Sequence, residues 1–349
     1  MIDLKSKVRG CFLGVAIGDA IGKAVEIWTH EQIKEKFGLI TDYQDCKNNK
    51  YFPDDVKGTT TDDWQLTKAI IKSIIKEGNL DVDEVARQHV EEYKKTFNGW
   101  GNSTKEAIAS LIEGKHWKES ACSSSPNRGL GNGVAMKISP VGVLIGVKYF
   151  LSLNENNSFP YDKEEILNKV IDICGMTHYT NIALSSAFCQ TTACMACLSY
   201  LPEVFNKQYF LKLMIKISTT IENSNLFHKT EDMLSNRFNL IEFDMTTEKI
   251  IESFGKGSCY VYDSLPFSYA FFLNNPLSIE SLYNCVSAGG DTDTNGSMVG
   301  ALLGALNGEQ IFPEHLLNGL VNKEEVLTLA DQFYEKLTNG VEIFVEPKS

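Results

Sequence analysis

The chain has 349 residues, of which 43% are hydrophobic, so it can bury a large core without a disulfide or a partner. It carries 45 acidic and 33 basic residues, a formal net charge of -12. A negative field of this kind repels phosphate backbones and anionic lipids, which argues against generic binding to nucleic acids or membranes. A phosphorylated substrate would need local positive charge, and bound cations are a compact source of it.

Cysteine usage and the first residues predict a cytoplasmic protein. The nine cysteines are odd in number and scattered through apolar stretches, as is typical of free thiols in a reducing compartment. Residues 1–10 contain charges but no continuous apolar segment before a small-residue cleavage site. The apolar runs 11–21 and 298–306 are far shorter than the ~20 residues of a membrane span. We therefore expect a soluble monomer.

Apolar residues recur at helical spacing along most of the chain, and strictly alternating runs are scarce. In chain order, this pattern predicts helices over residues 64–76, 81–96, 103–113, 163–175, 181–200, 208–222, 247–253, 277–287 and 295–307. Long loops are expected over residues 41–60, 120–133, 152–162 and 223–246. No Pro- or Ser-rich linker divides the chain, so the prediction is one all-α domain over residues 1–349.

Two segments contain a glycine at every fourth residue. Each glycine costs about 1 kcal/mol of helix propensity relative to alanine, a loss that close packing of another backbone can offset. The simplest interpretation is a pair of glycine-striped helices in the core, which would hold distant segments of the chain side by side. The two stripes are Gly10, Gly14, Gly18, Gly22 and Gly296, Gly300, Gly304, Gly308.

An acidic motif, Thr61-Asp62-Asp63, directly precedes an amphipathic run that begins at Trp64. Taken alone, ordinary N-capping of a helix explains these residue types. However, neighbouring carboxylates repel each other unless a cation or hydrogen-bond donors compensate, and a helix dipole keeps them ionised, as metal ligands must be.

A second acidic motif, Asp291-Thr-Asp293-Thr294, follows two glycines at the start of the second stripe. Carboxylates and hydroxyls without nearby Cys or His favour Mg²⁺, Mn²⁺ or Ca²⁺ over Zn²⁺. An EF-hand is the competing interpretation, but its twelfth position falls on Leu302 instead of a bidentate Glu.

Two other patterns carry weaker signals. The loop at Gly131-Asn132-Gly133 either forms an ordinary turn or offers amides to a diphosphate, with a helix from Met136 to residue 147 expected to follow. It does not fit the dinucleotide-binding fingerprint, because residue 134 is not glycine. The Cys-x-x-Cys at 194–197 lies in an apolar helix, where buried thiols are the simplest explanation.

Taken together, the motifs resemble the ADP-ribosylglycohydrolase family over about residues 8 to 320. They follow the order and approximate spacing of that family, and residues 25–38 resemble its dinitrogenase reductase-activating branch. The motifs are Gly18-Asp19-Ala20-Ile21-Gly22 with Glu26, Thr61-Asp62-Asp63, Gly131-Asn132-Gly133 with Ala135-Met136, Thr177-His178 and Gly289-Gly290-Asp291-Thr292-Asp293-Thr294.

The resemblance implies an all-α fold, two Mg²⁺ or Mn²⁺ ions, and cleavage of ADP-ribose from a modified side chain. Asp62 and Asp291 are the candidate proton acceptors, and Glu26 is implied to line and gate the metal site as a third catalytic candidate. The implied metal ligands are Thr61, Asp62, Asp63, Asp291, Asp293 and Thr294. The implied substrate contacts are Gly131, Asn132, Gly133, Met136, His178, Trp100, Gly101 and Tyr260.

Several alternatives stay open from the sequence. The leaving group is an arginine, a serine or a small molecule, with arginine favoured because of the branch that the N-terminal motif resembles. His178 and Tyr260 are equally explained as structural residues. A non-catalytic ADP-ribose-binding or structural protein is the alternative on the same fold, and a simple Ca²⁺-binding helical protein is a third hypothesis.

Three departures from the family pattern affect the expected substrate site. Lys137 stands where an arginine is usual, which suggests a point charge in place of a bidentate phosphate ligand. Trp64 replaces a threonine next to the expected metals, and the loop from Tyr43 to Tyr51 lacks the usual glycines.

Overall fold

The computed structural model describes residues 2–121, 128–154 and 163–345. The predicted loops at 120–133 and 152–162 therefore lie partly outside the described residues, as do residues 123–127 of the small-residue segment before Gly131.

Helices make up well over half of the chain, which confirms the prediction of an all-α fold. Two short antiparallel strands, β1 (Ile2–Asp3) and β2 (Phe344–Val345), pair Ile2 with Val345. In the described residues the helices are α1 (Leu4–Gly22), α2 (His30–Phe37), α3 (Asp62–Glu77), α4 (Val82–Lys95), α5 (Asn102–Ile112), α6 (Trp117–Ser120), α7 (Ser139–Asn154), α8 (Lys163–Thr177), α9 (Asn181–Ser199), α10 (Lys207–Glu222), α11 (Leu234–Phe238), α12 (Thr247–Ser253), α13 (Val261–Asn274), α14 (Glu280–Ser287), α15 (Thr292–Asn307), α16 (Glu314–Gly319) and α17 (Lys323–Thr338). Single 3₁₀ turns cover Lys23–Val25, Cys46–Asn48, Pro202–Val204, Gly255–Gly257 and Glu309–Ile311.

All nine predicted helices are present, with ends that differ by a few residues. The helix expected from Met136 was placed too early, because α7 begins at Ser139 and the residues before it form turns. Proline has no N–H and is favoured in the first helical turn, so Pro140 explains this start. The predicted loop 223–246 also contains the short helix α11.

The two glycine stripes pack against each other, as predicted. Gly10 faces Gly304, Gly14 faces Gly300 and Gly18 faces Gly296, with backbone against backbone. A Cβ atom at Gly14 would overlap the carbonyl group of Gly300. All of α15 and nearly all of α1 are buried, so this pair lies in the core of the molecule.

Helix α9 is the one helix of the described residues that is both long and apolar enough to be compared with a membrane span. It has 19 residues and a mean hydropathy of 1.3, enough by length and composition to cross a membrane, but 83% of its most apolar window is buried inside the protein. Cys194 and Cys197 are fully buried within it, as expected for structural thiols. Eight cysteines fall in the described residues, and all eight are free thiols.

Candidate active site

A cleft of about 400 Å³ opens where the first turns of α3, α5 and α15 meet, within the range of small-molecule sites. It brings most of the candidate residues together, although they come from segments far apart in the chain. The candidates that line it are Glu26, Asp62, Asp63, Trp100, Gly101, Gly131, Asn132, Gly133, Met136, His178, Asp291, Asp293 and Thr294.

The first acidic motif is held at the start of α3 by a buried carboxylate from α1. Both oxygens of Asp19 accept the backbone N–H of Thr61 at 2.9 Å, and one of them also accepts the N–H of Trp64 at 3.0 Å. These amides belong to the first turn, where a helix leaves its N–H groups unsatisfied. Asp19 therefore fixes the orientation of Asp62 and Asp63. Sequence reasoning quoted Asp19 but assigned it no role.

The second acidic motif is held by backbone contacts that only glycine permits. Gly289 and Gly290 have φ angles of 85° and 84°, in the left-handed region, and a Cβ at Gly290 would overlap the carbonyl oxygens of the neighbouring 3₁₀ turn. The N–H of Gly290 donates to Trp28 O at 2.9 Å, and the N–H of Ile27 donates to Gly290 O at 2.7 Å. The segment that carries Glu26 is thus tied directly to the second motif.

The two motifs meet across the cleft. The Thr294 hydroxyl lies 3.2 Å from Asp63 Oδ2, and Asn132 Nδ2 donates to Asp291 Oδ2 at 2.6 Å. Ligand atoms of Glu26, Asp291 and Asp293 all lie within 4.8 Å of one another. The EF-hand alternative is wrong, because α15 already begins at Thr292, the second position of the supposed loop.

The acidic cluster has the properties of an oxygen-ligand cation site. Glu26 Oε2 and Asp63 Oδ1 are buried, and neither has a hydrogen-bond partner among the described residues. Burial, followed by repulsion from neighbouring carboxylates, raises the pKa of Glu26 to about 8 and of Asp62 to about 7. Unpaired carboxylate oxygens in a buried group of acidic residues suit a hard divalent cation, so the residues fit a metal.

Charge across the cleft is unevenly distributed. Five carboxylates line it, whereas Lys105 is the single lysine or arginine among the described lining residues. Lys105 lies in the first turn of α5, whose N-cap Gly101 offers no side-chain hydrogen bond to the free amides. Among the described lining residues, positive charge therefore comes from Lys105 and from the N-terminal end of the α5 dipole. Sequence reasoning missed Lys105, although its place beside Gly101 at a predicted helix start was a usable signal.

Lys137 does not face the cleft, which corrects the expectation of a point charge near substrate phosphates. Its side chain is fully buried, and Nζ donates to Thr177 Oγ1 at 3.1 Å. His178, which follows Thr177 in the sequence, does line the cleft. Burial lowers the pKa of His178 to about 3 and that of Lys137 to about 7.

Trp64 also points away from the expected metals. Its indole is 1% exposed in the core, and Nε1 donates to Glu325 in α17 at 3.4 Å. Trp64 is not among the residues that line the cleft, so the tryptophan that stands in place of the threonine does not obstruct the acidic cluster. Tyr51, from the loop that lacks glycines, does line the cleft.

Two candidates are not among the residues that line the cleft. Thr61 caps α3, and its hydroxyl lies 3.5 Å from Asp63 Oδ2. The Tyr260 hydroxyl donates to Asp232 at 2.8 Å, while the backbone of Tyr260 pairs with Gly131. The neighbour of Tyr260, Cys259, lines the cleft in its place.

The fold and the site define an all-α protein with a buried acidic cluster that could hold a cation, next to two glycine-striped helices packed against each other. The sequence pattern of ADP-ribosylglycohydrolases matches residues 1–341, and the chain belongs to the ADP-ribosylglycohydrolase family. This membership, together with the relatives described next, supports an ADP-ribosylglycohydrolase activity in general terms.

The relatives are distant but cover nearly the whole chain. An uncharacterised protein of Archaeoglobus fulgidus is 26% identical, covering 95% of this chain and 97% of that protein. The ADP-ribosyl-[dinitrogen reductase] glycohydrolase of Rhodospirillum rubrum is 24% identical, covering 91% and 92%. The ADP-ribosylhydrolase ARH3 of Mus musculus is 22% identical, covering 94% and 91%. A solved structure described as an ADP-ribosylglycohydrolase-related protein complex has a TM-score of 0.68 at 20% identity, covering 96% of this chain and 99% of that one, and shows the shared fold.

Proposed function

We propose that the chain is a metal-dependent hydrolase that removes ADP-ribose from a modified protein side chain, with arginine favoured over serine. The observation that carries this proposal is the buried acidic cluster, in which Glu26 Oε2 and Asp63 Oδ1 lack partners among the described residues. Two Mg²⁺ or Mn²⁺ ions would supply the missing positive charge, polarise ribose hydroxyls and activate water. The preference for arginine rests on the resemblance of residues 25–38 to the branch that acts on dinitrogenase reductase.

The charge distribution supports one orientation of the substrate. A diphosphate is repelled by the five carboxylates of the cleft and attracted by Lys105 and the free amides at the start of α5. The distal ribose and its anomeric carbon would then lie next to the acidic cluster, beside Asp62 and Asp291. This orientation puts the scissile bond where the carboxylates are.

The carboxylates would have two roles in the reaction. Asp62 or Asp291 accepts the proton of the attacking water, while the remaining negative charges stabilise the positive charge that develops at the anomeric carbon. Glu26 borders the same cluster and would limit access to it. Asn132 holds Asp291 in place through the 2.6 Å hydrogen bond.

Hydrolysis of defined peptides tests this proposal directly. With Mg²⁺ or Mn²⁺, the protein should release free ADP-ribose from an arginine-linked ADP-ribosyl peptide, faster than from the matched serine-linked peptide. EDTA should stop release, and added metal should restore it. Faster cleavage of the serine-linked peptide would overturn the arginine preference. Binding of ADP-ribose without release from either peptide would indicate the non-catalytic alternative.

Metal binding should stabilise the protein more at high pH. The folded pKa values of Glu26 and Asp62, about 8 and about 7, lie above the ~4 of unfolded carboxyl groups. The metal-free folded state therefore holds more protons than the unfolded chain between pH ~4 and ~8, and its stability falls as pH rises through this window. Because a divalent cation replaces those protons, the gain in melting temperature on adding Mn²⁺ should be larger at pH 8 than at pH 6. NaCl at matched ionic strength is the control for the thermal scans. A gain that is equal or larger at pH 6 contradicts this account.

A further inference from the structure

A buried chain of three side chains ends at the cleft wall. Lys137 Nζ is 3.1 Å from Thr177 Oγ1, and this oxygen is 2.9 Å from Nδ1 of His178. None of the three side chains is more than 2% exposed. Thr177 ends α8, and Lys137 lies in the turn before α7, so the chain joins two elements behind the substrate site.

The His178 ring is neutral, because burial strongly favours the uncharged form and the nearby Lys137 adds to the effect. A neutral imidazole has one N–H and one bare nitrogen, and only a hydrogen-bond partner decides which nitrogen carries the proton. The contact at Nδ1 therefore determines what His178 offers at Nε2.

The direction of the chain follows from the donors that it contains. Nζ of Lys137 donates to the Thr177 oxygen at 3.1 Å, and the ammonium form, which predominates below the pKa of about 7, has no lone pair to accept the hydroxyl proton. The hydroxyl has a single proton, and among the described residues its other partner is Nδ1 of His178. That proton is donated to Nδ1, which leaves the ring proton on Nε2.

The Nε2 atom faces the glycine loop of the cleft. A Cβ added at Gly133 would lie 3.2 Å from Nε2, and one added at Gly131 would lie 3.9 Å from it. Because both residues lack a side chain, a ligand atom can approach the ring along this wall. A protonated Nε2 offers that ligand a donor, whereas a bare Nε2 would offer an acceptor.

We propose that Lys137 is a positioning residue that acts through Thr177 to hold His178 in its Nε2–H form, so that His178 donates a hydrogen bond to an acceptor oxygen of the substrate. The identity of that substrate rests on the proposed function, but the proton position is a property of the free protein. Burial of an amine is costly unless it is well paired. Among the described residues Lys137 forms no ion pair with a carboxylate, and Thr177 is the one side chain that accepts a hydrogen bond from it, so a role beyond charge pairing accounts for the buried amine.

Nitrogen-15 NMR of the imidazole rings in the free protein tests this proposal. The chain has six histidines, and loss of one signal set in His178→Gln assigns the ring. His178 should show a protonated Nε2 and a bare Nδ1. His89 is an internal reference of the opposite form, because its Nδ1 lies 2.8 Å from Val85 O, which can only accept. A protonated Nδ1 on His178 in the wild-type protein overturns the proposal without any variant.

Variants then separate positioning from simple packing. Lys137→Met and Thr177→Val keep the side-chain volume but remove a hydrogen bond of the Lys137–Thr177–His178 series. Both should therefore shift the His178 signals toward the form with the proton on Nδ1. Thr177→Ser keeps the hydroxyl and should retain the wild-type pattern. In calorimetry with Mn²⁺, the first two variants should weaken ADP-ribose binding about tenfold, the value of one hydrogen bond, while Thr177→Ser stays near wild type.

The outcomes distinguish this inference from the proposed function. Wild-type signals in Thr177→Val, or equal loss of affinity in Thr177→Ser and Thr177→Val, would overturn the role of the chain. An Nε2–H ring in a protein that hydrolyses no ADP-ribosylated peptide would contradict the hydrolase proposal and leave the assignment of the proton intact.

Discussion

Replacing Asp291 with asparagine is expected to abolish hydrolysis while leaving the fold intact. Asparagine keeps the volume and one acceptor oxygen but removes the charge that holds a hard cation and accepts a proton. We expect kcat/KM to fall by at least about a thousandfold, equivalent to about 4 kcal/mol of transition-state stabilisation. Melting temperature without metal should stay equal or rise slightly, because one source of repulsion in the acidic cluster is removed.

Metal titration gives an independent measurement on the same variant. A ligand at a hundredfold excess over its Kd stabilises a protein by about 2.7 kcal/mol, and Asp291→Asn should lose most of this gain. Asp42→Asn, at an exposed residue outside the cleft, is the matched control and should keep both activity and the metal response. Full turnover by Asp291→Asn on every substrate cleaved by the wild type would show that the second acidic motif is not catalytic.

Gly300→Ala should cause a large loss of stability, because its methyl group would overlap the backbone of Gly14 in α1. Relief of the overlap requires α1 and α15 to move apart along a fully buried contact. Overpacking of this kind costs about 3 kcal/mol at the upper end of its usual range, which corresponds to a fall of about 4 °C in melting temperature for a chain of this size. Urea unfolding followed by circular dichroism measures the effect.

Gly101→Ala is the matched control for stability. A Cβ at Gly101 would meet no atom within 4 Å, and the φ angle of this residue is negative, at -61°. Its free energy of unfolding should fall by no more than about 1 kcal/mol, because the one expected cost is that alanine is a poorer N-cap of α5 than glycine. If Gly300→Ala were equally neutral, the close backbone contact between the two helices would be in error.

Local patterns in the sequence predicted much of the fold and most of the cleft. Helical spacing identified amphipathic helices such as α3, and the four-residue glycine repeat predicted the α1 and α15 pair. Helix α13 gave no such signal, because it is aromatic, contains Pro266 and is buried on nearly all sides. Packing overrides local preference there, and a helix without a polar face has no periodicity to detect.

The direction of individual side chains was harder to predict than their place in a motif. Lys137 and Trp64 each follow a motif residue directly, yet both side chains point into the core, away from the cleft. Asp19 acts on Thr61 and Trp64 across more than forty residues, a contact set by the approach of α1 to α3. Such features depend on tertiary packing, and no local pattern encodes them.

The backbone contact between α1 and α15 can form only late in the synthesis of the chain. The partner of Gly22 in this contact is Thr292, 270 residues later in the chain. At ~5–20 residues per second, the ribosome needs roughly 15–55 s to make the intervening segment. Throughout that interval the apolar surface of α1 has no α15 to cover it, and the first acidic motif has no second motif beside it. The nascent chain therefore depends on other contacts or on chaperones to protect its first helix. Cation binding at both acidic motifs can stabilise the folded state only when synthesis is almost complete.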